Sequence, residues 1–88
     1  MKLIVAIIRD NDTNNILDAL IAKKYSVTRI ASTGAFWKQG NSTLLIGVEE
    51  TKVDDVIATI KVAAGAAPTD GSHRATLFVM NTTRYEQI

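Results

Sequence analysis

An α+β sandwich, two helices laid over one face of a four-stranded antiparallel sheet, is the architecture this sequence predicts. Three observations carry it. Apolar runs of strand length and apolar stripes of helical spacing follow one another in the order β-α-β-β-α-β. A faint echo recurs forty residues apart: Ile16, Leu17 and Leu20 match Val56, Ile57 and Ile60, and Ala6 and Ile8 match Ile46 and Val48. Two strand–acidic turn–helix units related in this way are what a ferredoxin-like βαββαβ sandwich demands. Finally, 88 residues allow one small domain, 1–88, with no cysteine to staple it. Such a domain buries only about 60–65% of the surface its unfolded chain exposes. With 47% hydrophobic residues, burial of a strand face between subunits is the natural remedy, so a homo-oligomer is expected.

Leu3 to Ile8 is a continuous β-branched apolar run, the pattern of a central strand buried on both faces. Asp10-Asn11-Asp12-Thr13 breaks it with helix-capping residues, after which Ile16, Leu17, Leu20 and Ile21 form one helical stripe up to about Lys24. Lys23 and Lys24 close this helix, complementing the negative end of its dipole or bordering an anion site with Arg29 and Lys38. From Tyr25 to Thr33, Val27, Arg29 and Ala31 alternate with Ser26, Thr28 and Ile30, which suits a strand with one side in a cleft. Ser42 to Val48 is the next strand, with Gly47 inside it marking a bulge or a close approach. Thr51 and Asp54 have capping-box spacing ahead of a second stripe, Val53, Val56, Ile57 and Ile60. Pro68 to Ser72 is turn chemistry, Thr76 to Met80 the last strand, and Asn81 to Ile88 a short tail. The sheet face away from the helices is left bare and calls for a partner.

The stretch Ser32 to Gly47, S-T-G-A-F-W-K-Q-G-N-S-T-L-L-I-G, carries the functional signal. Its three glycines let backbone N–H groups approach a ligand, and Phe36 and Trp37 offer flat faces to a base. It could hold a phosphorylated, base-containing ligand. Equally, Gly34 and Gly40 turn the chain while Phe36 and Trp37 are core or interface residues.

Other classes find little support. The net charge of +1 argues against a nucleic-acid-binding surface. No apolar run approaches the ~18–20 residues that span a membrane, and the basic-then-apolar opening reads as a strand, which leaves the cytoplasm as the default. His73 is the only histidine and sits beside Arg74 as a surface-loop residue. The acids Asp10, Asp12, Glu49, Glu50, Asp54 and Asp55 cluster at helix starts, where negative charge is favoured. No proton-transfer pair or metal-ligand spacing stands out, so the expectation is a protein without catalytic or metal-binding residues. Near the terminus, the Gln87 amide could read an adenine edge.

M-K-L-I-V-A-I-I-R-D-N-D at the start, the S-T-G-A-F-W-K-Q-G-N-S-T-L-L-I-G-V-E block, A-T-L-F-V-M and a terminal Gln resemble the PII-like cyclic di-AMP receptors. The resemblance runs from Met1 to about Ala64 and resumes at Ala75. It implies a PII-like homotrimer whose sheets surround a central axis, with cyclic di-AMP in the clefts between subunits. By position, Thr28 would meet an adenine edge and Phe36 would cover a base. Gly34, Ala35 and Asn41 would line ribose and phosphate, Gly47 would leave room for the base, Gln87 would close over it, and Phe78 would form an apolar wall. Lys24 and Ser26 stand where the family has Asn and Arg, and the loss of that Arg removes a bidentate phosphate donor. Ala35 replaces a glycine, Trp37 an aliphatic residue, and the family's long excursion before the last strand shrinks to about Gly65–Arg74.

The expected function is therefore a non-enzymatic signalling receptor that favours one loop state on binding, read by a downstream protein. A PII-type sensor of ATP, ADP or another small anion, and a trimeric assembly module without ligand, are the alternatives.

Overall fold

Alternation along the strands builds this molecule. The computed structural model describes residues 1–31, 40–65, 71 and 73–88. Its elements are β1 (Lys2–Arg9), α1 (Asp10–Ala22), β2 (Ser26–Ala31), β3 (Asn41–Val48), a 3-10 turn (Glu50–Lys52), α2 (Val53–Ala64) and β4 (Ala75–Asn81). They form a four-stranded sheet in the order β2-β3-β1-β4, with every pairing antiparallel. This is the arrangement of a ferredoxin-like sandwich. The core lies between one sheet face and the helices. Ile4, Ala6 and Ile8 of β1 and Leu44, Ile46 and Val48 of β3 meet Ile16 and Leu20 of α1 and Val56, Ile60 and Ala64 of α2. The forty-residue echo thus marks equivalent inward positions in two similar halves.

Four expectations change in detail. Although β1 is a central strand, only its even-numbered residues are sealed; Leu3, Val5 and Ile7 face the other way and are half-buried. The run is unbroken in sequence because both faces are apolar, but the protomer's own helices cover just one. Helix α1 begins directly at Asp10, and of its stripe Ile21 is 59% exposed while Ile16 and Leu20 are buried. The capping box at Thr51–Asp54 does not form: residues 50–52 make a 3-10 turn, and α2 starts after Lys52 with no side-chain cap. Tyr25 precedes β2 rather than belonging to it. The expectations for Ser32, Thr33, Gly34, Ala35, Phe36, Trp37, Lys38, Pro68 and Ser72 fall outside the described residues.

Candidate functional site

Register across the sheet defines a second, open surface. Opposite residues share a face, so Ser26, Gly47, Leu3 and Met80 make one row across the four strands. Thr28, Leu45, Val5 and Phe78 make the next, and Ile30, Thr43, Ile7 and Thr76 a third. Their centre is apolar, yet Phe78 is 50% exposed, Ile30 46% and Met80 44%. Gly47 sits in this face with nothing within 4 Å of where a Cβ would be. Nothing in the protomer requires a glycine there, so the space it leaves is open to whatever covers the sheet.

Lys24 lies where α1 gives way to β2. The helix ends in a Schellman-like turn, with Lys24 N–H donating to the Ile21 carbonyl at 2.8 Å and Tyr25 N–H to the Leu20 carbonyl at 3.1 Å. The turn needs a left-handed residue and Lys24 supplies it with φ 64°. Glycine or asparagine usually fills this position.

The flanking residues are tied to α2. Lys23 Nζ donates to Thr59 Oγ1 at 2.8 Å and to Asp55 Oδ1 at 3.2 Å, while the Tyr25 hydroxyl donates to the other Asp55 oxygen. The hydrogen bonds from Tyr25 and then Lys23, with the positive charges of Lys23 and Lys52, hold the Asp55 carboxyl below its ordinary range against slight desolvation. The same bond, with desolvation and the carboxylate's charge, pushes the Tyr25 hydroxyl up.

The opposite end of the sheet is polar. Asn41 pairs with Arg9 in register, and Gly40, at φ 93°, accepts from Asp10 N–H at 2.6 Å. Its positive φ is reason enough for a glycine. Ser42 Oγ donates to Asp10 Oδ1 at 2.6 Å and accepts from Arg29 at 3.2 Å. Asp12 is nearly buried and receives both bonds of Arg74 Nη1, at 2.9 and 3.2 Å. Helix-start acids were legible from sequence; their partners Arg74, Ser42 and Tyr25, far off in the chain, were not. His73 is exposed, and among the described residues no group of three or more His, Asp or Glu could hold a metal. Among them, too, no helix is long and apolar enough to cross a membrane.

The anticipated ligand residues are thus spread out. Ser26, Thr28, Gly47 and Phe78 share the open face. Ser26 and Gly47 stand at one end with Lys24 nearby in sequence, and β4 runs out at that end toward the exposed Gln87. Asn41 stands at the other end, six residues along β3 and so about 20 Å away. Phe78 occupies the far edge strand, with β1 between it and Gly47. Gly34, Ala35, Phe36 and Trp37 lie outside the described residues. Among the described residues, one protomer does not bring Asn41 and Phe78 together with Ser26 and Gly47.

The sequence profile of the cyclic-di-AMP receptors matches residues 1–70. The chain belongs to the cyclic-di-AMP receptor family. Its structure is also similar to a crystal structure of a functionally unknown protein from Pediococcus pentosaceus ATCC 25745, with a TM-score of 0.82 and 32% identity. That match covers 99% of this chain and 96% of the other. The likeness thus extends past residue 70 through β4, the part that the family profile does not reach.

Proposed function

We propose that this chain is a cytoplasmic, non-catalytic receptor that assembles as a PII-like homotrimer and binds cyclic di-AMP in the clefts between subunits. Family membership supports the ligand. The observation that carries the assembly is the open sheet face: apolar at its centre, half-exposed, and holding Ser26, Thr28, Gly47 and Phe78 on different strands. A cleft between two copies can join groups that one copy keeps about 20 Å apart. In it, Thr28 and Gln87 would read adenine edges, Phe36 and Phe78 supply flat and apolar walls, and Gly47 give the base room. Gly34, Ala35 and Asn41 would lie along the ribose and phosphate, with Trp37 beside Phe36 as a further flat face for a base. Lys24 would stand near the phosphates and partly replace the charge lost where Ser26 stands for the family's Arg. Binding would favour the ordered state of the 33–41 loop and the C-terminal segment, which a downstream protein then distinguishes.

Sedimentation and titration calorimetry with cyclic di-AMP, cyclic di-GMP and ATP test this. The expected result is a trimer that takes cyclic di-AMP, with Phe36→Ala and Gln87→Ala weakening binding but leaving the trimer whole. A monomer at all concentrations removes the proposal. Selective ATP binding would instead make the chain a PII-type nucleotide sensor, and a silent trimer an assembly module; Ser26 and the short 65–74 connection favour that last alternative.

A further inference from the structure

Resting on the ligand-binding reading above, we propose that Asp55, on the outer helix α2, is a positioning residue for the cleft. One carboxylate gathers the side chains on both sides of Lys24: the Lys23 ammonium at 3.2 Å and the Tyr25 hydroxyl. Thr59, one turn along the helix, takes a second bond from Lys23 at 2.8 Å and donates to the Asp55 carbonyl at 2.7 Å. The segment 23–25 is therefore pinned to α2 from both flanks. Lys24 in between holds a left-handed backbone, φ 64°, a conformation that L side chains rarely adopt.

This clamp does little for the core. Leu20, Val56 and Ile60 are sealed without it, and the Lys23–Asp55 pair is 47% exposed on each side. Exposed ion pairs contribute little to global stability. What the clamp fixes is local: the position of Lys24 and the start of β2. The next residues, Ser26 and Thr28, stand on the open face, with Ser26 directly opposite the space at Gly47. An outer-helix carboxylate thereby sets the placement of ligand-facing groups on the other side of the sheet.

The test sets Asp55→Ala against Asp54→Ala, which removes the same charge from the same exposed turn. If charge alone mattered, losing either carboxylate would strengthen binding of a dianionic dinucleotide. The positioning role predicts the opposite sign for Asp55. Amide exchange at residues 24–26 should rise about three- to tenfold in Asp55→Ala, as expected for two charge-assisted bonds at an exposed site. Cyclic di-AMP affinity should fall by a similar factor, while Asp54→Ala binds as well as the unsubstituted chain or better. Tyr25→Phe keeps the charge and removes one bond; it should move both readouts the same way by less, and it carries the test should Asp55→Ala fold poorly. Unchanged exchange in Asp55→Ala and Tyr25→Phe overturns the proposal. So does faster exchange with an affinity equal to that of Asp54→Ala. If the unsubstituted chain takes no cyclic di-AMP, the ligand reading fails instead, and the exchange arm still decides whether the clamp holds.

Discussion

Leu44 and Leu45 are the same residue, adjacent on the same strand, and they live in different worlds. Leu44 points at the helices and is fully buried; Leu45 points to the open face and is only partly covered. The contrast runs along the whole of β1 and β3: Ile4, Ala6 and Ile8 are sealed, while Leu3, Val5 and Ile7 are not. Packing inside the protomer has completed one face. The other carries a similar apolar load without a cover within the protomer, the kind of surface that calls for a partner. On the assembly proposed above, the two faces answer to different equilibria, one intramolecular and one that depends on protein concentration.

The sharpest way to break that comparison is to truncate the two leucines separately. Leu44→Ala should cost about 2–5 kcal/mol at every protein concentration, because it leaves a cavity in a sealed core. Leu45→Ala should cost little in a dilute sample and progressively more as concentration rises, since its loss acts through assembly. Thermal unfolding followed across a wide dilution series separates them. Equal, concentration-independent losses would mean that the open face is not an interface.

A second substitution addresses the one place on that face where the protomer leaves room. Gly47 has an ordinary strand backbone and nothing near its absent Cβ, so Gly47→Val should leave the isolated protomer as stable as before or slightly more so. Whatever packs there in the assembled state would be overfilled. Overpacking costs about 1–3 kcal/mol, which is roughly a tenfold to hundredfold loss of cyclic di-AMP affinity. Calorimetry beside a melting curve reads both effects, and unaltered affinity would remove Gly47 from the cleft.

Lys24 offers a smaller effect and one of opposite sign. Lys24→Gly relieves the left-handed backbone and should stabilise the protomer by about 0.5–1 kcal/mol, the gain net of glycine's extra unfolded freedom. If the lysine faces phosphate, the same change should lower ligand affinity. A variant that gains stability and loses affinity would separate what the turn wants from what the site wants. A gain without that loss would make Lys24 a plain turn residue.

Much of this was legible in the sequence, and the reasons are local. The stripes at Ile16/Leu20 and Val56/Ile60 and the apolar strands report which residues must leave water, so element order and sheet architecture follow. The two-sided apolar character of β1 is legible, and so is the bare outer sheet face; within the protomer only the even-numbered side is sealed, because hydrophobicity says that a face wants cover and not who provides it. Ile21 differs for a related reason: it lies about 100° around the helix from Leu20, at the edge of the stripe, and is left 59% exposed. The expected capping box at Thr51 gave way to a 3-10 turn. Least legible were the polar ties. Asp55 with Tyr25 and Asp12 with Arg74 join residues thirty and sixty-two positions apart, and no periodicity announces such pairs. For the site, Ser26, Thr28, Gly47 and Phe78 do share one face, yet register, which no sequence pattern states, puts Asn41 at the far end of β3 from Ser26 and Gly47 and Phe78 on the opposite edge strand from Ser26.

The mildest prediction concerns the covered side's titrating tie. Asp55 has its pKa lowered in the folded chain, so its contribution to stability is present above the unfolded carboxylate value, about pH 4, and is lost as pH falls through the lower folded one. Tyr25 is shifted up, so its contribution is present below about pH 10 and disappears as pH rises through the higher folded value. The stability difference between the unsubstituted chain and Tyr25→Phe should therefore be flat from about pH 5 to 9 and shrink beyond both ends. Asp55 is exposed, while Tyr25 is partly buried against the core and its hydroxyl carries no charge in this range, so added salt should change the difference little. Truncations on the open face should show neither signature, because Leu45 and Gly47 carry no titrating group. A difference that instead peaked near pH 7 would implicate other groups in the clamp, and Asp55 would no longer explain why the turn at Lys24 holds.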